Sequence, residues 1–182
     1  MRKGLDALYR LSGGLAAFFI VAIVVVVVVQ VGLNLTDKIL IATGTGALGL
    51  TIPSYAELTG YFLAASTFLA LAYTLRGGGH IRVTLAIQFL PPPLRRGIEA
   101  LALATAAAMT GFAAWHMVLY VHDSFSYGDM SSGMLAVPIW IPQTPLALGL
   151  TILTVALVDD LVQVLLGRAP SFEGKDESLL SE

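Results

Sequence analysis

Residues 11–35 read LSGGLAAFFIVAIVVVVVVQVGLNL. From Leu11 to Leu35 there is no Asp, Glu, Lys or Arg, and the run Val24 to Val29 is wholly β-branched. In water such a run favours a strand. In lipid the backbone finds no partner outside its own segment, and only a helix satisfies every N–H and C=O internally. A hydrocarbon core of roughly 30 Å is crossed by about 20 helical residues, so the stretch is long enough to span a bilayer.

Three more stretches pass the same test: Leu58 to Leu75, Ala100 to Val121 and Ser131 to Val158 also lack acidic and basic residues. The chain is therefore predicted to be an all-α membrane protein of four transmembrane helices with short interfacial segments. The expected spans are 11–33, 56–75, 98–121 and 140–166 in a single domain of residues 1–182, with a polar cytoplasmic tail over 168–182. A basic start before an apolar run could also be a signal peptide. This run exceeds the usual apolar region of such a peptide, and Gln30 to Asn34 offer no small-x-small cleavage pattern, so a retained anchor is expected.

Composition agrees. The chain is 57% hydrophobic and 12% charged, with a mean hydropathy of +0.83, which sets it apart from ordinary soluble domains. A net charge of -2 does not suggest nucleic acid as a partner. With no Cys there are no disulfides, thiolate metal sites or Cys nucleophiles.

Basic residues set the orientation. Arg2, Lys3 and Arg10 precede the first span, Arg76, Arg82, Arg95 and Arg96 separate the second from the third, and Arg168 and Lys175 follow the fourth. The other two loops hold only Lys38. The positive-inside rule makes both termini and the middle loop cytoplasmic, which in a bacterium means the inner membrane. Tyr9, Tyr55, Trp115, Tyr120 and Trp140 fall near predicted span ends, where amphipathic aromatics settle.

Between the spans the pattern is less regular. In the outward segment from Thr36 to Tyr55, Ile39 to Ala42 suggests a short helix on the outer surface. Gly44, Gly46 and Gly49 spell a dinucleotide-binding fingerprint, but no strand precedes it and no acidic residue stands at the required distance, so chance spacing is the reading. Gly77, Gly78 and Gly79 are expected to cap the second helix. Ile81 to Leu90 then reads as a short interfacial helix stopped by Pro91 to Pro93. In the third span Ala100, Ala104 and Ala108, and Ala107 with Gly111, have the small-xxx-small spacing that lets helix backbones approach.

The span centres carry almost no ionisable groups, which argues against a solute pathway within this chain. Glu57 opens the second helix, where a carboxylate also suits the positive end of the helix dipole. Asp159 and Asp160 come late in the fourth helix and point about 100° apart, so a cytoplasmic-interface position is expected, with one carboxylate paired to a loop arginine. Arg76, His80 and Arg82 are placed either for anionic lipid headgroups or for a docking contact.

Two other classes are weighed against this. A haem-carrying membrane anchor needs axial ligands facing each other at one depth, whereas His80 belongs to the inner loop and His116 and His122 toward the outer end of the third helix. A self-sufficient small homodimeric transporter would show an internal repeat and broken helices near the midplane, and neither is readable. No metal site is expected from His116, His122 and Asp123, since six-residue spacing separates the histidines on the helix surface.

The order of residues resembles the small membrane subunit, the DctQ-like or Q-type subunit, of tripartite ATP-independent periplasmic (TRAP) transporters. The likeness rests on Tyr55-Ala56-Glu57-Leu58, on Arg76-Gly77-Gly78-Gly79-His80-Ile81-Arg82-Val83 followed by Leu90-Pro91, and on Pro138-Ile139-Trp140-Ile141-Pro142. It covers the chain from the first span to the fourth. The resemblance implies a non-enzymatic protein without cofactor, bracing a large transmembrane subunit. That subunit would carry an organic anion, often a carboxylate, on a sodium gradient after capture by a periplasmic substrate-binding protein. On this reading Glu57, Arg76, His80, Arg82, Pro138, Trp140, Pro142, Asp159 and Asp160 form contacts with the partner subunit or with membrane lipids.

Overall fold

The computed structural model describes residues 2–78, 90–168 and Ser171. It contains four long helices, α1 (Arg2–Ala42), α2 (Tyr55–Arg76), α3 (Pro92–Tyr127) and α4 (Trp140–Leu165), each long and apolar enough to cross a membrane. Among the described residues there is no strand, only an isolated bridge between Met130 and Pro138. The valine run lies inside α1, as the absence of backbone partners in lipid requires. Of the interfacial helix expected at Ile81 to Leu90, residues 81–89 lie outside the described residues.

α2 and α4 are the central pair. α1 packs on the far side of α2, and α3 on the far side of α4. The core is correspondingly built around Ala72 and Leu75 of α2 and Leu153, Ala156, Leu157 and Val164 of α4, with Tyr9 contributed by α1 and Leu103 and Ala107 by α3. Small residues set the spacing. A methyl group added at Gly149 would run into the backbone carbonyl of Phe68, and one added at Gly13 would come within 2.7 Å of the Tyr73 ring. The two small-residue stripes of α3 divide: Ala107 is buried and Gly111 abuts Thr154 of α4, whereas Ala108 is exposed.

α1 and α2 run antiparallel in a defined register. The Ser12 hydroxyl donates to the Leu69 carbonyl, the Phe19 and Phe62 rings lie 5.5 Å apart, and the Ile52 N–H reaches the Gln30 side chain at 2.8 Å. At 22 residues α2 is about 33 Å long, close to the thickness of the hydrocarbon core. It is matched by α1 from about Tyr9 to Gln30, so the turns from Val31 to Ala42 project about 18 Å past its N-terminal end.

This corrects the expectation of a separate surface helix in the outward segment: Ile39 to Ala42 continue α1. The chain then reverses through Gly44, Gly46 and Gly49, whose φ angles of 79°, 83° and 67° residues with a side chain rarely adopt. The return limb is tied to α1 by Asp37, whose carboxylate accepts the N–H groups of Leu48 at 2.9 Å and Gly49 at 3.2 Å. The glycines of the apparent dinucleotide fingerprint thus serve a chain reversal.

The expected glycine cap of α2 is present in part, with Gly77 right-handed and Gly78 left-handed at φ 79°. α3 ends on left-handed Gly128. Pro142 occupies the first turn of α4, where its missing N–H has no intrahelical acceptor to lose, and Pro145 forfeits a bond to Ile141 near the same end of the helix.

Candidate functional site

The four helices alternate in direction, so Arg10, Arg76, Arg95, Arg96 and Arg168 gather at one end of the bundle and Lys38 stands at the other. Polar side chains concentrate in two clusters, one at each end of the central pair.

The arginine-rich end is organised by Arg76, the last residue of α2. Its guanidinium pairs with Asp6 of α1, lies 3.8 Å from the Asp159 carboxylate of α4, and sits 5.1 Å from the centroid of the Tyr9 ring. One cation therefore joins three helices. The pairs are partly shielded, with side-chain exposures of 22% for Arg76, 39% for Asp6 and 20% for Asp159, so they lie between the weak exposed case and the strongly coupled buried one. Tyr9, expected at a span end, is 1% exposed under this cation. A cavity of about 380 Å³ opens here, lined by Asp6, Tyr9, Arg10, Tyr73, Arg76 and Gly77.

Asp160, the neighbour of Asp159, is 2% exposed and points elsewhere, as a 100° step demands. Its two carboxylate oxygens accept the N–H and the hydroxyl of Ser171, each at 2.9 Å. A buried carboxylate needs such donors, because desolvation without them costs far more than a hydrogen bond returns. The chain after α4 is thereby folded back onto the helix.

At the opposite end Glu57 accepts the Tyr61 hydroxyl at 2.6 Å and lies beside the hydroxyls of Ser54 and Ser131. Gly133 is pressed against the same carboxylate, where any Cβ would collide with it. Ser54 also accepts the Leu135 N–H at 3.1 Å. The connection between α3 and α4 is a small folded loop, closed by Ser131 N–H to the Val137 carbonyl at 2.8 Å and Ile139 N–H to the Asp129 carbonyl at 3.0 Å. Glu57 holds this loop over the N-terminal end of α2.

Of the residues singled out in the sequence, Arg76 and Asp159 are brought together, with Asp160 one residue on, while Glu57 forms its own cluster at the other end. Pro138 bridges to Met130 in the loop between α3 and α4, the Trp140 ring lies edge-on to Phe125 at 5.6 Å, and Pro142 follows in the first helical turn. His80 and Arg82 lie outside the described residues. Arg95 pairs with Glu99 one turn away at 3.2 Å, and His122 lies 3.7 Å from Asp123 on an exposed surface. Among the described residues no three His, Cys, Asp or Glu side chains come together as a metal site would require.

Sequence reasoning missed Asp6, Gln30, Gly149 and Ser171, each of which acts through a partner distant in the chain. Trp115 and His116 also sit deeper than expected. Gly111 lies against Thr154 and Phe125 against Trp140, so the antiparallel register of α3 and α4 brings His116 level with Gly149. That is nine residues inside the start of α4, about 14 Å from its N-terminal end.

Residues 39–167 match the model of the family described as tripartite ATP-independent periplasmic transporters, DctQ component. The match takes in α2, α3, α4 and the Glu57 cluster, and of the arginine-end cluster Arg76, Asp159 and Asp160 but not Asp6, Tyr9 or Ser171. No match to the chain is found among curated proteins or among solved structures. With most of its length matched, the chain belongs to the DctQ family and is a small membrane component of a TRAP transporter, a transport-complex subunit.

Proposed function

We propose that this DctQ-family chain braces the large transmembrane subunit of a sodium-coupled, binding-protein-dependent transporter for an organic anion of the carboxylate class. It sits in the bacterial inner membrane with both termini in the cytoplasm. The observation that carries this reading is where the polarity lies. Arg76, Asp6, Asp159 and Asp160 gather at one end of the bundle, Glu57 lies at the other, and between them α2 and α4 close on each other through Gly149 and Phe68. A solute path needs polar groups in continuous depth. A brace needs helices of fixed separation, and the close backbone approach supports one.

The two end clusters support the same reading, since each ties the end of one helix to another element. Arg76, Asp159, Asp160 and Glu57 then hold the shape of the docking body. His80 and Arg82 in the cytoplasmic loop, with Pro138, Trp140 and Pro142 at the outer end, are proposed to touch the large subunit or surrounding lipid.

Affinity capture of the tagged chain from membranes that also express the large subunit and the periplasmic binding protein tests the assignment. Recovery of the large subunit in stoichiometric amount is expected. A chain captured alone in a detergent that keeps other complexes intact contradicts it. The redox-anchor alternative would instead give a Soret band on the purified chain.

A further inference from the structure

Two surfaces of the bundle are unpartnered through the depth of the membrane, the outer faces of α1 and α3, because these helices flank the central pair. Their chemistry differs. From Gly13 to Val29 α1 has no side chain able to form a hydrogen bond, and its exposed face is Phe18, Val21, Val24, Val25 and Val28. Acyl chains satisfy such a surface completely.

The α3 face carries Met109, Phe112, Trp115 and His116, with Phe112 68% and Trp115 66% exposed and His116 also exposed. The Phe112 ring lies 4.3 Å from the imidazole, and neither the indole nor the imidazole forms a hydrogen bond within the described residues. By the register with α4, both are level with Gly149 and near the middle of a core about 30 Å thick. Amphipathic aromatics otherwise settle at the headgroups. An ionisable ring at mid-depth faces protein or water rather than lipid, since hydrocarbon leaves its N–H unsatisfied.

We infer that the α3 face centred on Trp115 and His116 is the docking surface for a transmembrane helix of the large subunit that presents a hydrogen-bond acceptor at mid-depth. The α1 face is the lipid-facing side. The inference rests on the proposed bracing of a large subunit and adds which face does it and through which groups. Trp115 supplies the large flat contact typical of interface anchors, and the two ring N–H groups fix depth and register.

The test uses the intact transporter in membranes. A photo-reactive benzoylphenylalanine replaces Phe112 in one version of the chain and Phe18 in another, and irradiated membranes are probed for adducts. Adducts with the large subunit from position 112 and not from position 18 are expected. In parallel, Trp115→Leu and His116→Leu are expected to lower recovery of the large subunit about tenfold, whereas His116→Gln, which keeps an N–H donor, retains most of it. Both leucine variants change exposed positions, and monodisperse elution of the chain alone serves as the folding control. Adducts from position 18 only, adducts joining two copies of this chain at position 112, or undiminished recovery with His116→Leu would each overturn the face assignment. A parent chain that recovers no large subunit overturns the bracing proposal as well.

Discussion

The backbone carbonyl of Phe68 in α2 lies directly against Gly149 in α4, with no room between them for a methyl group. In a membrane, where lipid is as apolar as the helices, such close backbone approach is a main source of helix association. The α2–α4 separation is therefore set by a residue with no side chain.

Gly149→Ala is expected to destabilise the chain by about 1–3 kcal/mol, since the clash is with backbone and a helix has to shift to relieve it. Gly111→Ala, whose methyl would meet Thr154 at 3.4 Å, is expected to change stability little. Thermal unfolding in detergent compares the two. Equal stability of both variants removes the close approach from the account.

Arg76 is expected to be the costliest charge to remove. Arg76→Ala leaves Asp6 and Asp159 without the cation that faces both, and a loss of about 1–4 kcal/mol follows for a pair intermediate between exposed and buried. Removing the exposed Lys38 is expected to cost under about 0.5 kcal/mol. The order of midpoints in one denaturation series decides it, and Lys38→Ala as damaging as Arg76→Ala would refute the claim.

Asp160 and Ser171 are expected to act as a unit. Asp160→Ala removes both hydrogen bonds to Ser171, and Ser171→Ala removes only the one from its hydroxyl. A double-mutant cycle should give a coupling of about 1–2 kcal/mol. Additive effects within about 0.3 kcal/mol would mean the segment after α4 is not held by this carboxylate.

Topology follows from the arginines. Reporter fusions after Arg96 and after Glu182 are expected to score cytoplasmic, and one between Ser124 and Ser132 external. An external C-terminus would invert the orientation.

The four helices were legible because hydropathy reports directly where lipid must be. Their lengths were not. Asp37 and Lys38 end the apolar run of α1, but they end only its lipid-facing part, and backbone hydrogen bonding carries the helix on to Ala42. The depth of Trp115 and His116 was not legible either: it is set by the register of α3 against α4, with Gly111 beside Thr154 and Phe125 beside Trp140, which the apolar window of α3 alone does not report. An arginine partner for one of the paired aspartates was legible from the cost of a lone carboxylate near lipid. That Arg76 would also take Asp6 was not, because the pairing depends on the α1–α2 register. Gly149 gave no signal, being one glycine in a helix whose facing residue only the fold reveals.

Reconstitution separates a chain that supports transport from one that carries solute itself. Liposomes containing the chain alone, the large subunit alone, or both together receive binding protein, an inward sodium gradient and a panel of labelled carboxylates. Uptake is expected only when both membrane subunits and the binding protein are present. Uptake by this chain alone, or uptake by the large subunit undiminished in its absence, would contradict the account.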